Sequence, residues 1–196
     1  MARPTRHGPA LWIAGALRLL AEGGPEAVGI EALARRLGAT KGSFYHHFDD
    51  RPALLAALLA HWETRAAMGV IDRVEAAGGS AADRLWALME TVAREGAASP
   101  EPAIRLWART DPGARAALAR IDRARLDYLE DLFAAMGARG PDVVTRTRLA
   151  YLALIGEHAL GERPALADRL ATARRIHALL TGPRDNPSDF LLTVYA

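Results

Sequence analysis

The chain predicts an all-α protein, and three observations carry that expectation. Apolar residues recur at helical spacing through most of the 196 residues, and no run alternates apolar and polar residues as a half-buried strand does. Pairs of Gly, Pro, Ser or Asp interrupt the pattern at the intervals expected of helix ends. Half the composition is hydrophobic (51%), enough for a sizeable core, yet no stretch approaches the ~18–20 uninterrupted apolar residues of a membrane span.

Taken in order, residues 12–24, WIAGALRLLAEGG, predict a first helix closed by a Gly turn. In residues 30–38, IEALARRLG, Ile30, Leu33, Ala34 and Leu37 fall at i, i+3, i+4 and i+7, one apolar face. Arg35 and Arg36 lie off that face. Gly38 can end the helix in a left-handed conformation, and Thr40 is a good N-cap for the next one. That next segment, residues 39–48, ATKGSFYHHF, holds Lys41, the one lysine among 25 Lys and Arg residues. Phe44 and Phe48 share a face and can pack back on Leu33 and Leu37. Lys41, Ser43, Tyr45, His46 and His47 are left to face outward. Asp50 can cap a following helix with Pro52 in its first turn.

A short helix carrying small polar, basic and aromatic residues is poorly suited to a core. It suits the phosphates and base edges of a DNA major groove. Thr40 and Ser43 offer hydroxyl donors beside a helix N-terminus, and Lys41 can neutralise a phosphate or reach guanine O6 and N7. Tyr45 joins a flat body to a hydroxyl tip; His46 and His47 can donate to phosphates; Arg51 could clamp the flanking backbone. The alternative is a merely solvated polar helix. Net charge is only +2, so any affinity for DNA must come from local placement. Arg3, Arg6 and His7 precede the first helix and are either an arm on the duplex or a frayed end.

Residues 12–55 resemble the amino-terminal DNA-binding domain of TetR-family transcriptional regulators. The likeness rests on the first helix with its Gly turn and on the pattern of residues 30–38. It rests also on Lys41, Gly42, Phe44, Tyr45, His47 and Phe48 of the recognition helix, and on the opening DDRPALL of the fourth helix. The resemblance implies DNA contacts from Lys41, Ser43, Tyr45, His46 and His47, with Arg51 on the backbone. Two departures weaken such contacts. Gly29 stands where the family usually places a capping Thr or Ser, and Asp49 and Asp50 bring negative charge beside the recognition helix. The implied architecture is a three-helix helix-turn-helix domain (residues 1–50), a helical effector-binding and dimerisation bundle (51–182) and a tail (183–196).

Beyond residue 50 the pattern predicts one long helix over 51–77, with Trp62 among its apolar positions, broken by Gly78 and Gly79. A helix over 80–98 follows, with a capping box at Ser80 and Asp83. A short helix spans 101–109; another, capped by Asp111, runs to about Met136; and 143–160 with 165–180 form a last antiparallel pair. Leu149, Leu152, Gly156, Ala159 and Leu160, with Ala173, Ile176 and Leu180, form stripes that suit either a homodimer interface or packing inside one subunit. The resemblance implies the dimer, whose symmetry would hold two recognition helices about 34 Å apart. Trp62, Trp86, Met89, Trp107, Tyr128, Phe133 and His158 are large or adaptable side chains of separate helices. They suit a pocket for a small-molecule effector, or simply a core.

The expected function is a DNA-binding transcriptional regulator, a repressor released by an effector, acting in the cytoplasm on double-stranded DNA. An effector-independent regulator or activator, or a small helical enzyme, are the alternatives. Enzyme chemistry has little to stand on. No P-loop, nucleophile elbow or dinucleotide-binding pattern occurs, and no cofactor is expected. With no cysteine there is no disulfide or thiolate metal site. Adjacent His46 and His47 point about 100° apart on a helix and cannot share a metal.

Overall fold

The computed structural model describes residues 8–65, 69–94, 99–159 and 164–182, without the side chains of 157–159. The described residues form ten helices and no strand. Helix α1 (Pro9–Ala27) buries Trp12, Gly15, Ala16 and Leu20, and it kinks where Gly24 takes a left-handed φ of 71° just before Pro25. Helix α2 (Ile30–Leu37) buries Leu33 and Ala34 and stops at Gly38, whose φ of 61° is the left-handed cap read from the sequence. Gly15 lets α1 and α2 approach: a Cβ built there would lie 2.9 Å from Leu33 Cδ1. Helix α3 (Lys41–Tyr45) and helix α4 (Arg51–Glu63) follow, with Thr40 and Asp50 as their caps.

Of the long helix expected over 51–77, the described residues hold two stretches. The first ends at Glu63 and passes into a π-type turn at Thr64 and Arg65. The Thr64 hydroxyl donates back to the Ala60 carbonyl (3.0 Å), a local bond that competes with the regular helical ladder. Helix α5 (Gly69–Ala77) resumes beyond it. Helix α6 (Ala81–Arg94) opens on the expected capping box: Ser80 N donates to Asp83 (3.0 Å) and Asp83 N to Ser80 Oγ (3.2 Å). Helix α7 (Glu101–Trp107) is short, and α8 (Pro112–Ala135) is the longest. Helix α9 (Pro141–Ala159) lies along α8, whereas α10 (Leu166–Thr181) lies mainly along α6. The last two helices are therefore not the close pair that their sequence spacing suggests. Arg169 Nε donates to the Ala93 carbonyl (3.1 Å), and His177 Nε2 lies 2.9 Å from that of Ala82, tying α10 to α6.

Two apolar cores result. The first joins Trp12, Leu20, Leu33, Phe44, Phe48, Leu54, Leu58 and Trp62 to Ile104, Trp107, Ala114, Ala117 and Ile121. It thus runs from the three amino-terminal helices through α4 and α7 into the first half of α8. The second joins Leu85, Met89 and Ala93 of α6 to Leu129, Leu132 and Phe133 of α8, Ala150 and Tyr151 of α9, and Ala173 and Leu180 of α10. Helix α8 is common to both. At 24 residues and about 1.5 Å per residue it spans about 36 Å.

Between the cores lies a polar cluster. Glu101, only 7% exposed, accepts from Arg105 of its own helix (2.8 Å) and from both terminal nitrogens of Arg125 on α8 (2.8 Å each). Arg105 also reaches Asp122 (2.8 Å) and the Tyr151 hydroxyl (3.1 Å), and that hydroxyl donates to Asp122 (2.5 Å). Burial alone would raise the Glu101 carboxyl, but the hydrogen bonds and charge of Arg125, with Arg105, hold it at about 2. Burial and its bond to Asp122 push the Tyr151 hydroxyl up to about 12.

Candidate nucleic-acid interface and the helical body

Helix α3 is fixed by its two phenylalanines. Phe44 is fully buried and meets Trp12 edge-on, with ring centroids 5.4 Å apart; Phe48 tilts against Phe44 at 5.6 Å. The Thr40 hydroxyl accepts from Ser43 N (3.2 Å), closing the first turn. With that inner face fixed, the rest of the helix turns outward. Thr40, Lys41, Tyr45 and His46 are exposed, while Ser43 and His47 are half-buried. Tyr45 rests edge-on against Phe44 (5.2 Å) and keeps 56% of its surface in solvent. The His46 and His47 rings meet edge-to-face at 5.2 Å. Among the described residues no three His, Cys, Asp or Glu side chains are placed to hold a metal ion.

Gly42 is exposed and has helical backbone geometry. A Cβ built there would find only Thr40 Oγ1, at an ordinary 3.8 Å. Nothing among the described residues requires glycine at this position, although glycine weakens a helix by up to about 1 kcal/mol relative to alanine.

The cations of this region are largely engaged. Lys41 pairs with Glu31 of α2, which holds the ammonium above its usual range and the carboxyl below its own. Arg36 grips Glu22 with two bonds of 2.5 and 2.6 Å. Arg51, expected to reach out to the DNA backbone, instead donates from Nε to the Val28 carbonyl (2.8 Å) and from a terminal nitrogen to that of Pro25 (2.5 Å). The Pro25 carbonyl, which also accepts from Val28 N (3.1 Å), and the Val28 carbonyl lie at the end of α1, beyond the Gly23–Gly24 break. The two glycines and Pro25 were the available sequence signal that a donor was needed there.

In the body the expected pocket residues are scattered. Trp62 and Trp107 belong to the first core, Met89 and Phe133 to the second, and Trp86 packs under Arg174 (4.0 Å to its centroid) and beside His177. Trp62 and Trp107 therefore belong to one core and Trp86 packs against the other. The side chains of His158 and Ala159, and all of Leu160, lie outside the described residues, as do residues 1–7 and the tail 183–196. A cleft of about 410 Å³ does open between α5, α6 and α8, lined by Ile71, Glu75, Arg84, Tyr128, Asp131, Leu132 and Ala135. Of the expected residues it holds Tyr128. Its hydroxyl donates to Glu75 (2.6 Å), which also accepts two bonds from Arg84. Burial and the bond to Glu75 push that hydroxyl well above its usual range. A smaller cavity of about 20 Å³, room for about one water, lies among Met89, Ala153, Ala173 and Ile176.

Of the residues expected at a subunit interface, Leu149 and Leu152 are exposed (40% and 64%), and Gly156 is half-buried with open space over it. Ala173 and Leu180 are instead buried in the second core of their own chain, and Ile176 packs against it. Their spacing marks an apolar face but does not say which neighbour covers it; α6 does.

Residues 13–58 match the family described as bacterial regulatory proteins, tetR family. The amino-terminal region is a TetR-family domain. The chain thus carries the DNA-binding domain of a transcriptional regulator. No curated protein matches the chain by sequence. Among solved structures, Salmonella enterica GusR is similar with a TM-score of 0.70 at 18% identity, covering 93% of this chain and 97% of that one. AibR, solved in complex with isovaleryl coenzyme A and operator DNA, gives 0.69 at 19% identity over 90% and 99% of the two chains. A TetR/AcrR-family regulator from Thermobifida fusca YX-ER1 gives 0.64 at 21% identity over 90% and 98%. The TetR-like arrangement of headpiece and helical body therefore extends over most of the chain. No helix among the described residues is long and apolar enough to cross a membrane.

Proposed function

We propose that this chain is a cytoplasmic, homodimeric repressor that grips DNA through α3 and releases it when a small molecule enters the helical body. The observation that carries the reading is the division of α3 into an anchored apolar face and a polar outer one. Thr40, Lys41, Ser43, Tyr45, His46 and His47 form that outer face, around a glycine that nothing among the described residues requires. A missing side chain at Gly42 lets the helix backbone come close to a duplex. Arg51 takes a supporting part, setting the angle between α1 and α4, and the boundary near residue 50 is a division of labour rather than of packing.

The cleft between α5, α6 and α8 is the favoured effector site. Its volume lies within the range of about 300–1,000 Å³ usual for ligand sites, and it sets Ile71, Leu132 and Ala135 beside convergent polar groups. AibR, a neighbour in fold, is known with both an acyl-coenzyme A and operator DNA bound, which supports two sites on one such scaffold. Among the described residues, exposed Leu149 and Leu152, with Gly156, are left to meet a second subunit. The effector would act by preferring a conformer whose paired recognition helices are wrongly spaced. A second reading, a regulator without effector, is favoured by Trp62 and Trp107 filling the first core.

Band-shift titration against a duplex selected from a random pool tests the DNA interface. Lys41→Ala and Tyr45→Ala should each weaken binding about tenfold or more while leaving the melting temperature unchanged, as loss of one good contact of about 1–3 kcal/mol implies. Equal affinity of both variants and the parent chain would overturn the assignment.

A further inference from the structure

The pairing of the one lysine bears on selectivity, and this inference rests on the DNA-binding reading above. Lys41 stands in the first turn of α3 and Glu31 in the first turn of α2, ten positions earlier and across the Gly38 turn. Both side chains are more than half exposed, so the contact is made in full view of any duplex that α3 meets. Neither residue is needed for packing. Glu31 has no role in either core, and Lys41 could reach solvent freely. Nearby Arg36 is held by Glu22, and Asp49 and Asp50 add negative charge at the far end of the helix. The exposed guanidinium of Arg35 has no partner among the described residues.

We propose that Glu31 is a specificity-determining residue, which orients Lys41 toward a base edge and withholds it from indiscriminate phosphate binding. The chemistry follows from the ammonium group. It has three donors; one satisfies Glu31, and two remain for guanine O6 and N7 without breaking the pair. A phosphate, by contrast, attracts Lys41 as a net charge, and that charge is already offset by the carboxylate. Moving Lys41 to a phosphate exchanges one anion for another and strands Glu31 near the polyanion. Random DNA therefore gains little from Lys41, whereas a correct site keeps its full contact. This is discrimination by penalising the wrong partner.

The test uses the full chain, a random-sequence duplex and a duplex selected for binding, each titrated over a range of salt. Glu31→Gln should tighten binding to the random duplex about two- to fivefold at low salt, the worth of an exposed ion pair. It should also steepen the dependence of log K on log salt by up to about 0.9, one further phosphate neutralised. Affinity for the selected duplex should stay level or fall, so the ratio between the two shrinks. In a Lys41→Gln background the same substitution should have no effect on random DNA. Equal tightening on both duplexes, persistence of the effect without Lys41, or no change at all would each overturn the proposal. Failure of the unsubstituted chain to bind either duplex would overturn the DNA reading itself.

Discussion

The two cores differ in what fills them. The first is built from rings, Trp12, Phe44, Phe48, Trp62 and Trp107, closed around four amino-terminal helices and α7. The second is built mainly from aliphatic side chains, with Met89, Phe133 and Tyr151; the small cavity lies among its residues, and the cleft opens between two of its helices and α5. A recognition helix must be held in one pose, and large rings at edge-to-face and tilted angles leave few alternatives. A body that takes up an effector, as proposed above, would need helices that can part. The contrast places rigidity where geometry must be fixed and slack where it can be spared. The cluster around Glu101 stands where the two meet.

The largest expected effect comes from that junction. Glu101→Ala leaves Arg105 and Arg125 without their shared carboxylate and should destabilise the fold by about 3–5 kcal/mol, read as a fall in thermal midpoint. If the two cores melt separately in that variant but together in the parent, the cluster is what couples them. A coincident transition in both would show that shared α8 is enough.

Acid tests the same junction without substitution. The Glu101 carboxyl is lowered in the folded chain, so its contribution is fully present above about pH 4.5 and is lost as pH falls toward 2. A shift of that size is worth about 3 kcal/mol, and stability measured by denaturant should fall by about that much across the window. A flat profile would mean that the pair is no stronger folded than unfolded.

Smaller effects separate packing from function in the headpiece. Gly15→Ala forces a methyl against the fully buried Leu33 and against Leu37, and should cost about 1–3 kcal/mol. Gly42→Ala should do the reverse, adding up to about 1 kcal/mol of stability while weakening DNA binding in a band shift. If it strengthens both, close approach of the α3 backbone to the duplex is not what the glycine serves.

Features governed by near neighbours in the chain were legible before any coordinates. The caps at Thr40, Asp50, Ser80 and Asp111, the left-handed Gly38, and the inward turn of Phe44 and Phe48 all follow from residues within four or five positions. The sequence also offered Trp62, Trp86 and Trp107 together as large side chains of a pocket or a core. It could not say that they belong to different cores, since that depends on how α7 and α8 return across the chain. The same limit applied to α10, whose inward stripe found α6 rather than α9. Arg51 is a separate case. Its position beside the recognition helix suggested phosphate, whereas its guanidinium donates to the carbonyls of Val28 and Pro25, distant in sequence and near in space.

That arginine has a mechanical meaning. Its head is bolted to the last carbonyls of α1 while its own backbone opens α4, so the two helices meet at a braced corner rather than a hinge. When α4 tilts, it cannot slip beneath the headpiece. A tilt of α4 would draw the end of α1 along with it, so the corner would carry that movement into the headpiece.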